Sequence, residues 1–443
     1  MGYRLFAVGL FAVLLPGVQA QTADPATREL IERLLTRIDG LERRVAELEK
    51  GGTTALAVSP VAPQAPTPTQ TPALSPTEAM HMSHDQPPVP VAQSEATQPV
   101  YPSLKIAGFG DINFSATNFH GTSSGFAPET LVLPHSGFEE GQFTLHLSSA
   151  LSPKVTVFSE LTLTARSDAG TGTPPATGFN AEVERFIIRY DLNDYFKLSF
   201  GRYHTPINYW NTAFHHGQWL QTTISRPEMT QFGGSFIPVH FVGTLVEGDV
   251  PASGLNLNYN FGLGNGRGQV ISRPGDFGDV NNNRAWLANV FVKPDQLYGL
   301  QVGGSVYHDE LNPLIASAAR EWIQSAHIVW LKETPEFIAE FANVTHEPIR
   351  GGVTSNSQAF YVQTAYRLPF GQKLWKPYFR FESIHVPKSD PIFTPLVPTF
   401  SGSTFGLRYD ISSFAAFKWE YRHYDLRDKP AINGLFVQTS FTF

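Results

Sequence analysis

The chain has 443 residues, a net charge of −7 and no cysteine. The acidic balance argues against a nucleic-acid partner. The missing thiols exclude disulfides, Cys-ligated metal sites, thiol catalysis and a lipidated N-terminal Cys. Arg4 followed by "LFAVGLFAVLL" reads as a charged and then an apolar region, and Val18 and Ala20 supply small residues for cleavage before Gln21. Residues 1–20 are therefore expected to be an export signal. No later segment reaches the roughly 18 apolar residues of a membrane-spanning helix. Aromatics at 13%, with abundant Gly and Pro, fit a turn-rich β protein.

Residues 21–50 carry Ile31, Leu34, Ile38, Leu41, Val45 and Leu48 at alternating spacings of three and four. This is the seam of a coiled-coil helix. It lasts about two and a half heptads, too short to stand alone, and Gly40 weakens it by roughly 1 kcal/mol. Residue choice along the seam favours two strands. However, "RIDGLE" (Arg37, Ile38, Leu41, Glu42) and "RVAELE" (Arg44, Val45, Leu48, Glu49) resemble the Arg-h-x-x-h-Glu motif of short trimeric coiled coils. That resemblance implies a homotrimer, with a lone amphipathic helix as the alternative.

Residues 51–102 are rich in Pro, Ala, Thr and Gln and are expected to be an extended linker without a core. Within them "MHMSHD" offers Met80, His81, Met82, His84 and Asp85. These are possible donors to a soft metal, but a solvated stretch of linker is the preferred reading.

From residue 103 onward the pattern changes to segments of about ten residues with period-2 alternation. In "KVTVFSELTLTAR", Val155, Val157, Leu161, Leu163 and Ala165 share one face, with Lys154, Thr156, Glu160, Thr162, Thr164 and Arg166 on the other. Sixteen such segments are expected: 104–119, 138–150, 154–166, 182–190, 195–202, 240–248, 254–263, 284–293, 299–308, 322–332, 336–345, 358–368, 374–386, 403–411, 415–424 and 435–443. Long and short connections alternate between them. Strands of this length can cross a bilayer at a tilt, and the alternation of connections is that of an up-and-down barrel with one exterior rim. The fold class is thus all-β, a 16-stranded antiparallel transmembrane β-barrel over 103–443, after a coiled-coil helix and a linker.

The closing segment "NGLFVQTSFTF" sets Leu435, Val437, Phe441 and Phe443 against Phe436, Gln438, Ser440 and Thr442. Such a terminal strand must pair with the first, because lipid tolerates no open sheet edge. A final strand closed by Phe resembles bacterial outer-membrane proteins. That implies residence in the outer membrane, in contact with its lipid, with the N-terminal segment in the periplasm. Tyr101, Tyr190, Tyr195, Trp210, Trp330, Trp375, Phe414 and Tyr424 are expected to form interfacial girdles.

Sixteen strands leave a watery lumen, so the architecture implies a passive pore for small hydrophilic solutes. The longest connection, 203–239, is the third of the exterior set and is expected to narrow it. It carries His204, His215, His216, Arg226 and Glu228. His215 and His216 are adjacent and lack ligand spacing, so no metal is expected; a polar pore lining is the preferred reading, with a loop folded against the barrel wall for packing as the alternative. Parity also turns inward Lys154, Arg166, Arg185, Arg189, Arg367, Lys376, Arg380, Arg408, Lys418 and Arg422, against Glu160, Glu382, Asp410 and Glu420. The basic excess predicts a mild anion preference.

Signal, coiled coil, linker and barrel together resemble the phosphate-selective and dicarboxylate-type porins. "FGRYHTPINYWN" (Phe200 to Asn211) is similar to their approach to the constriction. A full basic ladder of the phosphate-selective kind is not identified. A second reading is a structural or adhesion barrel whose exterior loops bind a partner. An enzyme is not expected: His146 and Ser148 share a strand face, but no nucleophile motif surrounds them. No cofactor is expected.

Overall fold

The computed structural model describes residues 101–118, 137–165, 179–214, 216–231, 236–250 and 254–443. The signal, coiled-coil and linker readings, and Arg166 and His215, lie outside them. The described chain forms sixteen strands: β1 Ser103–Thr117, β2 Gly137–Ser152, β3 Val155–Ala165, β4 Phe179–Asn193, β5 Phe196–His204, β6 His240–Val250, β7 Leu257–Asn265 and β8 Ala285–Val292. They continue with β9 Leu300–Leu311, β10 Ala319–Leu331, β11 Glu336–Pro348, β12 Ser355–Ala365, β13 Trp375–His385, β14 Phe400–Ser412, β15 Ala415–Leu426 and β16 Ile432–Thr442. Each expected segment is one of these strands, with its ends moved by a few residues.

Every strand pairs with its chain neighbours, and β16 returns to β1, so the sheet is a closed antiparallel barrel. The closing register runs from Phe109 opposite Thr442 to Thr117 opposite Gly434. One step further, Gly108 and Phe443 exchange backbone hydrogen bonds of 2.9 and 3.0 Å. Closure satisfies the ladder groups that an open edge would strand in hydrocarbon.

The two faces invert the usual pattern of a soluble protein. Leu104, Ile106, Phe186, Phe200, Phe405 and Leu435 point outward and are exposed. Asp111, Glu160, Thr162, Gln438, Ser440 and Thr442 point inward and are buried. Connections alternate as expected through β8, with 118–136, 166–178, 205–239 and 266–284 at one rim. Later members of that set shorten, except 386–399. At this rim Trp286 pairs with His308, which stacks on Trp322 at 4.1 Å. At the other rim Trp375 lies 4.5 Å from Tyr409, and Phe417 lies 4.4 Å from Trp419.

Two of the expected girdle residues are not in a girdle. Tyr424 shares the inward parity of Arg422, and its hydroxyl donates to Glu382 Oε1 at 3.0 Å. Trp210 belongs to the long connection and is fully buried inside, edge-on to Tyr361 at 5.9 Å.

The interior is also less polar than alternation predicts. Ile207, Trp210, Phe214, Met229, Phe236 and Ile237 of the connection 205–239 pack against inward apolar residues of β9–β12. Those include Tyr307, Ile323, Ile338, Val344 and Tyr361. Phe393 of 386–399 joins them, 5.5 Å from Phe236. The barrel thus holds a hydrophobic core inside, reached by residues from β4 round to β16.

Candidate functional site

The connection 205–239 leaves the wall at β5 and reaches strands on the far side. Tyr203 and His204, expected to belong to it, are the last residues of β5. At its start a helical turn, Trp210–Ala213, sits against β11. There Glu340 Oε1 accepts from the backbone N–H groups of Tyr209 and Trp210, each at 2.7 Å. Thr222 Oγ1 donates to Glu336 Oε2 at 2.9 Å.

The segment 218–228 then runs over a lattice of charges on β13–β15. Register places Lys376 opposite Arg408, and Arg408 opposite Lys418. Two rungs along, Arg380 and Arg422 flank Thr404. Like charges directly opposite each other destabilise a sheet unless something compensates. Compensation comes first from rungs of carboxylates between the bases. Arg408 Nε lies 2.7 Å from Asp410, Arg422 Nε 2.5 Å from Glu420, and Arg380 3.1 Å from Glu382.

The rest comes from the loop. Arg408 Nη1 donates to the carbonyls of Trp219 and Gln221 at 2.8 and 3.0 Å. Lys418 Nζ donates to those of Gln221 and Thr223 at 2.9 and 3.2 Å, and also to that of Gln218. Arg380 donates to Ser225 O at 2.8 Å and Arg226 O at 3.1 Å. The carboxylates take the opposite groups. Glu420 Oε2 accepts from Ile224 N at 2.8 Å, and Glu382 Oε2 from Glu228 N at 2.7 Å. A buried loop must pair its backbone somewhere; here wall cations take its carbonyls and wall anions its N–H groups.

The predicted site residues therefore fall into groups. Arg380, Arg408 and Arg422 are buried beneath the loop rather than facing open lumen. Arg226 folds back on its own segment, its Nη2 donating to Thr230 O at 2.8 Å. The carboxyl of Glu228 is pushed up to about 8, by burial first and then by Glu382. Arg185, His204 and His216 gather on the opposite wall, around Glu160. Arg189 lies apart, paired with Asp191 at 2.7 Å and Glu247 at 3.3 Å.

Sequence reasoning missed Glu336 and Glu340, because β11 alternates Glu with Ile, Ala and Val on one face and gives no clear polar side. It also undercounted inward acids. Glu184, Asp309, Glu321, Glu336 and Glu340 are all buried inside in addition to the four expected and to Asp111, which alternation along β1 already sets on the polar face.

No protein-family model and no curated protein matches the chain. Solved structures match it in fold. The anion-selective porin from Comamonas acidovorans superposes with a TM-score of 0.55 at 11% identity, covering 77% of this chain and 100% of that one. OmpT of Vibrio cholerae in a trimer form gives 0.50 at 11% identity, covering 77% and 99%. OmpF of Salmonella typhi in complex with daunomycin gives 0.50 at 11%, covering 77% and 97%. At this identity the likeness is one of fold: a sixteen-stranded barrel of the bacterial porin type.

Proposed function

We propose that this protein is a passive diffusion channel for small hydrophilic solutes in the bacterial outer membrane. In this reading the segment 205–239 narrows the lumen. The observation that carries it is the docking of that segment on inward charges of β11 and β13–β15, inside a barrel whose outer face is apolar. Such an arrangement would narrow a pore from within a sheet that is itself closed. The reading includes a homotrimer and a periplasmic N-terminal coiled coil, supported by the heptad seam. It excludes catalysis.

The anion preference expected from the bases is reduced to a slight one. The ladder arginines are paired with carboxylates, and the further inward acids have bases of their own, as in Arg267 with Glu321 and Lys197 with Asp249, so little net positive field is added. Adhesion through the exterior connections remains the second reading of the same barrel, but no exposed feature of the described loops favours it. Nor does the inner face distinguish a phosphate or dicarboxylate cargo.

The test is conductance of the purified protein in a planar bilayer. Stepwise ohmic conductance without added substrate is expected, rising when residues 212–230 are replaced by a short Gly-Ser connector. Folded protein that inserts but does not conduct would overturn the channel. Reversal potentials in a salt gradient should favour anions weakly; a clear cation preference would overturn that part.

A further inference from the structure

The wall opposite the basic lattice gathers side chains that neither the pore nor the loop anchor uses. Glu160 of β3, His204 at the end of β5 and His216 of the inward loop each present one donor atom, all within 4.8 Å of one another. Glu184 of β4 lies beside this trio, its Oε1 3.4 Å from His216 Nε2, and its Oε2 is 2.7 Å from Nε2 of His240 at the start of β6. All but partly buried His240 are almost wholly buried.

Local structure explains the convergence. The β3–β4 register slips after the pair of Glu160 with Arg185, and the next pair is Leu161 with Val183. Glu184 is thus the extra residue of a bulge, a device that re-aims one side chain. It points inward beside Arg185 although the two are consecutive. His204 and His240 are a directly opposed pair where the loop leaves and rejoins the wall. Their rings are 5.5 Å apart, and the rings of His204 and His216 are 5.9 Å apart.

The separations suit a metal. His204 Nε2 is 3.3 Å from Glu160 Oε2, and His216 Nε2 is 3.4 Å from Glu184 Oε1. Both are close to the edge, about 3.3–3.4 Å, of a tetrahedron of donors lying 2.0–2.1 Å from a zinc ion. The outer partners also fit. Gln142 Oε1 accepts from His216 Nδ1 at 3.1 Å, which fixes the tautomer that turns the Nε2 lone pair to the centre. His146 Nε2 holds Glu160 Oε1 at 2.8 Å, and His240 Nε2 holds Glu184 Oε2 at 2.7 Å. Arg185 contacts Glu160 Oε2 at 2.5 Å, but its guanidinium also lies 4.4 Å over the Phe158 ring, which can keep it when the oxygen ligates.

We propose that Glu160, Glu184, His204 and His216 form a binding site for a first-row transition dication, zinc foremost, which pins the inward loop to β3–β5. Two imidazoles and two carboxylates suit Zn2+, Co2+ or Ni2+ rather than Mg2+ or Ca2+. The site stands whether or not the barrel is a passive pore.

Full-length protein, folded in detergent and stripped by chelator, is titrated with Co2+ and then Zn2+. The linker donors are removed in the starting variant, His81→Ala with His84→Ala. One equivalent of Co2+ per barrel, with the visible bands of four-coordinate cobalt and displaced by Zn2+, is expected. Adding His204→Gln and His216→Gln should weaken binding at least about 100-fold, since losing even an outer partner can cost that much. The barrel's heat-modifiable electrophoretic mobility reports folding. Absence of Co2+ and Zn2+ binding at micromolar concentrations, or unchanged affinity in the folded quadruple variant, overturns the site. If that variant does not fold, anomalous scattering at the zinc edge from wild-type crystals decides. An ion between Glu160 and His216 supports the proposal, and ions found only elsewhere overturn it.

Discussion

At the scale of single residues, the loop is held by wall charges that pair with one another and also take its backbone groups. Arg380 is fully buried and spends its donors on Ser225, Arg226 and Glu382. Arg380→Met leaves Glu382 with the Tyr424 and Glu228 hydrogen bonds but no cation, and two loop carbonyls without this donor; breaking a buried pair in this way costs about 3–5 kcal/mol. The loop should undock, which predicts faster chymotrypsin cleavage after Trp219 and a larger single-channel conductance. Unchanged protection and conductance would show that the lattice does not hold the loop. Glu228 adds a pH dependence. Its folded pKa of about 8 lies above the ordinary carboxyl value, so the docked loop binds the extra proton. Docking from this group is therefore fully supported below the ordinary value and is lost as pH rises toward 8. Channel current should become larger or noisier over that window, and Glu228→Gln should flatten the response. A response that survives Glu228→Gln assigns it elsewhere. The inward direction of Arg380, Arg408 and Arg422 was legible from strand parity. The loop partners of Arg380 and Arg408 were not, because the acceptors are carbonyls 155 and 189 positions away in the chain, and a carbonyl carries no sequence signature.

At the scale of elements, the strands were legible because lipid enforces a strict alternation on the outer face. Phe360 and Val362 on β12, or Leu161 and Leu163 on β3, cannot change sides without a polar residue meeting hydrocarbon. The inner face obeys no such rule where the loop packs, so Ile338 and Val344 face inward on β11 and blur the pattern. Bulges were equally hidden, and one of them turns Glu184 inward. Glycines set a further local constraint. Gly201, Gly243 and Gly264 are opposed in a row across β5, β6 and β7, the strands around the inward loop. A Cβ at Gly264 would fall 2.1 Å from the carbonyl oxygen of Val242, a backbone atom that cannot swing aside. Gly264→Val should separate β6 from β7 at a cost of about 1–3 kcal/mol, the usual range for overpacking. A lower urea midpoint for the heat-modifiable folded band would report it. Gly137→Ala is the matched control, since its Cβ meets nothing within 4 Å. Equal midpoints for the two variants would refute the close approach.

At the scale of the molecule, closure was foreseen from the last strand, and the reason is the absence of solvent for an edge. The full set of inward acids was not, since a bulge brings Glu184 inside and loops bring Asp390. Association belongs to this scale as well. The barrel's apolar outer face can rest in lipid alone, so nothing in the described strands demands a partner. The proposed heptad seam would, because an isolated helix of that length is marginal in water. If the seam sets the assembly, replacing Ile38 and Leu41 by Asp puts charges at adjacent a and d positions. Losing that burial costs about 2–5 kcal/mol per helix, enough to dissociate a coil of about two and a half heptads. Light scattering in detergent should then fall from the mass of three chains to that of one, while heat-modifiable mobility of each barrel stays intact. Three-chain mass in the folded double variant would transfer the contact from the N-terminal helix to the barrel walls. The linker would then be a tether without an assembly role, and the loop-narrowed pore would stand unchanged.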